Sequence, residues 1–329
     1  MDYSEKIRKY AETLGFDACG IAAVECIDPA GRFKKWLEQG FHAQMNWLIK
    51  TAEIRLDIRR RLPGAQSVVV VARNYYAPRP TVPLHAVRVS RYAWGLDYHY
   101  VLRRPLESLA AYIRSLAPET RTFLSIDNGP VLEKFWAARA GVGWIGKNSL
   151  VIREGLGSWF FLGCVVTTLP LQPDVPLENR CGECKACMDA CPTGAIVEAG
   201  VVDARRCISY QTVENRKELD SDIAKHIDPW VFGCDICQEA CPWNRDVRKT
   251  SERQFHPIPK HANPDPQELL GLTAESFAHE FTNTPISRAG LARIKKNVLK
   301  ILENRGQSIP LYQEFDGASE KEPLSGSPQ

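Results

Sequence analysis

Of eleven cysteines in 329 residues, eight fall between positions 181 and 241. The first run, "CGECKACMDACPTG", sets Cys181, Cys184, Cys187 and Cys191 at C-x2-C-x2-C-x3-C, with Pro192 following. Cys207 stands alone. After a gap of 26 residues, 208 to 233, "CDICQEACP" adds Cys234, Cys237 and Cys241, again with a proline, Pro242, behind the last. Thiolates at this density bind soft metals. Zinc is one candidate, because C-x2-C pairs are structural zinc ligands, but zinc takes four ligands in two spaced pairs. It does not call for three cysteines three apart and a fourth before proline.

That spacing is the one used by bacterial two-cluster ferredoxins, where the fourth cysteine of a run ligates the other cluster. Applied here, Cys181, Cys184, Cys187 and Cys241 hold one 4Fe-4S cluster, and Cys191, Cys207, Cys234 and Cys237 hold the second. The proline ends the turn, so its cysteine faces away from its own run. Two such clusters pass electrons one at a time, and some other chemistry must consume them. The remaining thiols, Cys19, Cys26 and Cys164, sit in apolar settings such as "FFLGCVVTTL" and are expected to be buried and inert.

The rest of the chain must position this segment. With 44% hydrophobic and 25% charged residues and a net charge of +3, the composition is that of a globular protein. It excludes a disordered tail and a strongly basic nucleic-acid coat. Contact with a nucleic acid would have to come from local stretches, "RLDIRRRLPG" at 55–64 and "RIKKNVLK" at 293–300. The N-terminal residues mix charges with apolar positions at helical spacing and lack the apolar run of a signal peptide or membrane span, which predicts a cytoplasmic protein with free thiols and no membrane partner.

"SEKIRKYAETLGFDACGIA" predicts an early helix, and "LPGAQSVVVVARNYYA" a central strand covered on both faces. A helix over 97–116, a strand at "RTFLSID", a helix running through glycines into another strand, and "GSWFFLGCVVTTLPL" complete an α+β domain over 1–178. After the Pro-rich join "QPDVPLENR", 179–250 forms a ferredoxin-like domain, 251–305 a short helical region, and 306–329 a polar tail expected to be disordered. No G-x-G-x-x-G follows a strand and no P-loop is present, so nicotinamide and nucleotide cradles are unsupported. "GVGWIGKNSL" reads either as a tight turn or as a close backbone approach to a large flat cofactor.

Together, "SRYAWGLDYHYVLRRPL", "IDNGPVLEKFWAARAGVGWIGKNSLVI", "GSWFFLG", "CPTGAI", "RCISYQTVEN" and "FGCDICQEACPWN" resemble the epoxyqueuosine reductases, in the same order and up to about residue 250. The resemblance implies a nitroreductase-like cobalamin domain joined to the two-cluster domain. It implies reduction of epoxyqueuosine to queuosine at the wobble position of a tRNA anticodon, by base-off cobalamin fed from the clusters. The partners implied are tRNA and a low-potential electron donor, with the enzyme acting as a monomer. Asp127 matches the family's proton donor and also a cobalamin-contacting position; Val151, Ser209, Asp235 and Ile236 match further cobalamin-contacting positions, and Arg216 a tRNA-contacting one.

From its neighbours alone, Asp127 would suit a helix cap before "NGPVLEKFWAA". "DYHYVL" approaches the cobalt-ligating motif D-x-H-x-x-G but holds Leu102 at the glycine position, so His99 is expected to be structural. Longer members of the family carry a HEAT-like C-terminal region, which the roughly fifty helical residues after the cysteines here do not supply. Two rivals stand beside this reading. A reductive dehalogenase also pairs base-off cobalamin with two clusters but carries a twin-arginine signal. A non-catalytic electron-transfer module would bind no corrinoid.

Overall fold

The computed structural model describes residues 2–25, 27–28, 31–81, 83 and 85–307. Cys26 and 308–329, most of the expected disordered tail, lie outside the described residues. After α1 (Tyr3–Thr13), strands β1 (Ala18–Ala23), β2 (Ser67–Asn74), β3 (Thr122–Ser125) and β4 (Phe160–Thr167) form one antiparallel sheet in the order β1-β2-β4-β3. The run Val68 to Val71 puts β-branched side chains on both faces of β2, and both faces are buried. Val69 and Val71 meet Ile7 and Ala11 of α1 and the apolar stripe of α2 (Tyr98–Leu116), which includes Leu102, Leu106, Leu109 and Ile113. Val68 and Val70 meet Trp136 and Ala137 of α3 (Glu133–Arg139), with Cys164 beside them. Burying each valine is worth about 1.5–3 kcal/mol over leaving it in water, which fixes the register on both sides.

Asp97 starts α2 by accepting the His99 amide on Oδ1 at 2.9 Å. Burial opposes its ionisation, yet His99 and Arg288 together hold its carboxyl down at about 2. The expected twice-covered strand and α+β class are both present, and the sheet is antiparallel throughout.

The two cysteine runs fold alike. Each places one helical turn, α4 (Ala186–Asp189) and α6 (Ile236–Glu239), around the cysteine that precedes its proline-flanked one, Cys187 and Cys237. The backbone bonds repeat position for position: Met188 N to Lys185 O and Cys191 N to Met188 O in one, Gln238 N to Asp235 O and Cys241 N to Gln238 O in the other. Between them, α5 (Ile208–Val213) follows Cys207. A second core joins Val89, Trp94, Ile208, Trp230 and Phe232 to Ile294, Val298 and Ile301 of α7 (Leu291–Asn304), and Asn297 in that helix donates to Thr212 O and Val231 O. The helices after residue 251 therefore pack on the segment carrying Cys207 and Cys234. Among the described residues, no helix is long and apolar enough to cross a membrane.

Candidate iron-sulfur and cofactor site

Cys181, Cys184, Cys187 and Cys241 line one cavity of about 220 Å³, together with Lys147, Asn148, Ile152, Pro242 and Trp243. Three of these cysteines come from the first run and the fourth from the end of the second. Cys184 is exposed, Cys181 half-buried, and Cys187 and Cys241 buried. Burial raises the Cys187 thiol, and the neighbouring Cys241, Cys181 and Cys184 raise it further. Among the described residues, no three His, Cys, Asp or Glu side chains converge tightly enough to hold a single metal ion. A cubane, with one thiolate at each of four corners, asks for this wider ring, and it fits the residues present.

The other four cysteines form an inner ring. Each keeps some accessible surface, but the protein around Cys207, Cys234 and Cys237 desolvates them strongly and pushes all three thiols up. They feel one another as well: Cys191 acts on Cys207, and Cys207 and Cys191 both act on Cys237. Cys187 of the outer ring also reaches Cys237, so the rings are adjacent. Thiols this deep stay ionised only beside compensating positive charge, which bound iron supplies. Backbone N–H groups already point at them, Ala195 N at Cys191 Sγ (3.3 Å) and Ser209 and Tyr210 at Cys207.

Asp127 sits in the bend after β3 with φ at 63°, a left-handed conformation that costs a non-glycine residue about 1–3 kcal/mol. Tyr98 Oη donates to its Oδ2 at 2.6 Å. Burial, then the charge of Asp127, keeps the Tyr98 hydroxyl protonated and therefore a donor. Helix α3 begins six residues later with Leu132 at its cap position, so Asp127 is not its cap, and its exposed carboxylate is held by Tyr98.

Two residues that sequence reasoning passed over share this corner. Glu133 accepts Ser125 Oγ at 2.6 Å; burial pushes its carboxyl up to about 7, with the Asp127 charge adding and Arg55 opposing. Lys134 is exposed, yet the protein packed around it lowers its ammonium pKa, against the pull of Asp127, Cys237, Glu133 and Cys207. The Lys134 ammonium thus feels both Asp127 and the inner-ring Cys207 and Cys237. A charged pair opening α3, "LEKFW", was the available signal.

The remaining sequence-derived candidates divide. Ser209 and Ile236 are half-buried, each within two residues of an inner-ring cysteine. Val151 is buried against Trp136 and Ala137 of α3. Asp235 is wholly buried, and its carboxylate is engaged by Ser90 Oγ, Arg91 N (2.9 Å), Arg91 Nη1 (3.2 Å) and Arg79 Nη2 (3.3 Å). His99 Nδ1 lies 2.8 Å from Asp97 Oδ1, the structural role expected of it. "GVGWIGKNSL" is the tight turn: Trp144–Ile145 pairs with Val151–Ile152, and a Cβ on Gly143 would fall 2.4 Å from Ile152 O.

Arg216 is exposed, its amide donating to Gln44 Oε1 at 3.1 Å. The basic stretches are occupied locally. Arg55 is buried and donates to Val131 O, Arg59 pairs with Asp57, Arg60 with Glu53, Lys296 with Glu218 and Lys300 with Glu303. Burial raises the thiols of Cys19, to about 12, and of Cys164.

Residues 55–127 match the family model described as epoxyqueuosine reductase QueG, DUF1730, and residues 180–244 match the 4Fe-4S double cluster binding domain. The epoxyqueuosine reductase of Leadbetterella byssophila is 39% identical over 305 residues, covering 92% of this chain and 99% of the relative. That of Synechocystis is 42% identical over 285 residues, covering 84% and 98%. Among solved structures, an epoxyqueuosine reductase with an epoxyqueuosine-modified tRNA-Tyr stem loop matches with a TM-score of 0.84 at 31% identity over 91% of this chain and 80% of that one. The enzyme from Bacillus subtilis, solved with its catalytic aspartate loop swung out of the active site, matches with a TM-score of 0.85 at 30% identity over 91% and 81%. With relatives at these identities covering most of both chains, the chain belongs to the epoxyqueuosine reductase family of oxidoreductases.

Proposed function

We propose that this protein reduces the epoxide of epoxyqueuosine at the wobble position of a tRNA anticodon, giving queuosine and water. The observation that carries the reading is the position of Asp127. It is a carboxylate held by Tyr98, and the Lys134 ammonium feels both its charge and those of the inner-ring Cys207 and Cys237, so that a proton source and an electron source can meet here. Opening the ring and expelling its oxygen breaks two C–O bonds, forms one C=C bond, and consumes two electrons and two protons. Asp127 gives a proton to the departing oxygen, Tyr98 holds the carboxyl in place, and Glu133 stands next to it as the group that restores the proton.

Base-off cobalamin, when bound, supplies a cobalt centre that takes electrons from the clusters singly and delivers them to substrate carbon. The residues around Lys134 suit such a large group: the charges of Asp127, Glu133, Cys207 and Cys237 all act on its ammonium, and Ser209 and Ile236 lie within two residues of those cysteines. Because the Asp235 carboxylate is spoken for and Val151 and Ile236 carry no polar chemistry, these three would contact the cofactor through their backbone. The domain boundary near 178 separates this sheet from the segment that feeds it. Arg216 meets the tRNA, a single-stranded loop whose base can be splayed out, and the reaction belongs to the cytoplasm, where tRNA is found.

Mass spectrometry of nucleosides from epoxyqueuosine-bearing tRNA, incubated anaerobically with protein, cobalamin and reductant, tests this. Loss of one oxygen from the modified base is expected. Unchanged epoxyqueuosine with iron and corrinoid fully loaded would overturn it.

A further inference from the structure

The turn between Ile145 and Val151 is held from several sides. Gly146 N donates to Leu150 O at 2.8 Å, Ser149 Oγ to Gly200 O at 2.6 Å, Gly200 N to Lys147 O at 2.9 Å, and Lys147 Nζ to Gly182 O at 2.6 Å, beside Cys181. These contacts fix Asn148, which lines the outer-ring cavity and is 5% exposed. Its Oδ1 accepts Leu150 N at 3.2 Å. A backbone N–H can only donate, so this contact identifies the oxygen and turns the amide NH2 the other way. That NH2 group is buried with no acceptor among the described residues.

Gly146 makes the placement possible, since a Cβ there would lie 2.9 Å from Asn148 Oδ1 and 2.5 Å from Ile152 Cδ1. A buried N–H left unpaired is costly, so the position is better understood with an acceptor opposite it. The wall it belongs to offers sulfur: Cys181, Cys184, Cys187 and Cys241.

We infer that the Asn148 side-chain amide donates an N–H···S hydrogen bond to the cluster held by the outer ring and sets its reduction potential. This rests on the assignment of that ring to a 4Fe-4S cluster. Reduction adds negative charge to the sulfurs, and a donor aimed at them favours the reduced form, so hydrogen bonds to sulfur raise the potential. Asn148 acts through the cluster and is a positioning residue. Asn148 lines the cavity of the outer ring, so the inner ring should keep its own potential.

The test is an EPR-monitored redox titration of the reconstituted holoprotein with Asn148→Ala and Asn148→Asp, the second keeping the acceptor for Leu150 N while removing the amide donor. Pulsed EPR on unsubstituted protein grown with side-chain-15N asparagine accompanies it. Support would be a midpoint moved to more negative potential for the outer cluster in both variants, an unmoved inner cluster, and a 15N coupling that Asn148→Ala abolishes. An unshifted outer midpoint in Asn148→Asp at full iron content, or no 15N coupling in the unsubstituted protein, would overturn it. If a variant fails to hold its outer cluster, the 15N measurement alone decides. A protein that binds no iron at all would instead bring down the cluster assignment on which the inference stands.

Discussion

The two cysteine runs share one local fold, and the two rings they build differ in where the protein puts them. The outer ring opens on solvent through Cys184 and is walled by Trp243, Lys147 and Asn148. The inner ring is desolvated, flanked by Lys134, and within reach of the residues around Asp127. Similar turns at two depths give the proposed function a direction: electrons would enter where a thiolate meets solvent and leave toward Asp127. Cys187 acting on Cys237 across the gap provides the adjacency that single-electron transfer needs.

The strongest way to break this comparison is to remove a ligand that the crossing assigns against chain order. Cys241→Ser should abolish the outer cluster and spare the inner one, halving the eight irons expected of two 4Fe-4S clusters. Cys191→Ser should do the reverse. Iron analysis with EPR distinguishes the rings. Loss of the inner cluster's signal in Cys241→Ser, with the outer one intact, would show that each run serves itself.

Next in size is Asp127→Asn. Asparagine tolerates the left-handed backbone at this position and can still accept from Tyr98, so fold, iron and corrinoid content should be unchanged. Single-turnover conversion should fall roughly a hundredfold or more, the usual contribution of a positioned general acid. Conversion near that of the unsubstituted protein would remove Asp127 from the chemistry and leave the inner ring without its proton source.

What the sequence made legible follows from how local the cause is. The grouping of Cys241 with Cys181, Cys184 and Cys187 around one cavity was readable because the spacing and the proline after the last cysteine are properties of a few consecutive residues. The twice-covered β2 was readable because Val68 to Val71 leave no polar face. Asn148, Glu133 and Lys134 were not. Their roles depend on a hairpin folding against the first cysteine loop and on α3 starting six residues after Asp127, which no local pattern states. The helix-cap reading of Asp127 failed for the same reason, since the bend from Ile126 to Pro130 intervenes. Asp235 illustrates a subtler gap: sequence resemblance could mark the position but not say that Ser90, Arg79 and Arg91 occupy its side chain.

A smaller effect should come from Glu133→Gln. A carboxyl raised from 4.5 to about 7 in the fold favours its neutral form, so its unfavourable contribution is absent below pH 4.5, grows as pH rises toward 7, and is constant above. Glutamine removes that cost. The variant should gain about 2 kcal/mol more stability, relative to the unsubstituted protein, at pH 8 than at pH 5.5. Denaturation of holoprotein at both pH values measures this. An equal effect at the two would mean that Glu133 is not held near neutrality beside Asp127.

The smallest expected effect sharpens the two-ended picture most. Arg216 lies in the loop after α5, the helix that begins at Cys207 of the inner ring, and its amide is pinned to Gln44 while the side chain is exposed. If tRNA approaches the inner end and the electron donor the outer, Arg216→Ala should weaken binding of an epoxyqueuosine-bearing stem-loop by roughly fivefold, the size of one solvent-exposed phosphate contact of about 1 kcal/mol. The same variant should show a shallower dependence of affinity on salt, because one fewer counterion is released. Reduction of both clusters by a small artificial donor should be untouched, since that donor enters past Cys184. Slower cluster reduction with unchanged stem-loop affinity would put Arg216 on the electron-donor side, and the two ends of the molecule would have to be exchanged.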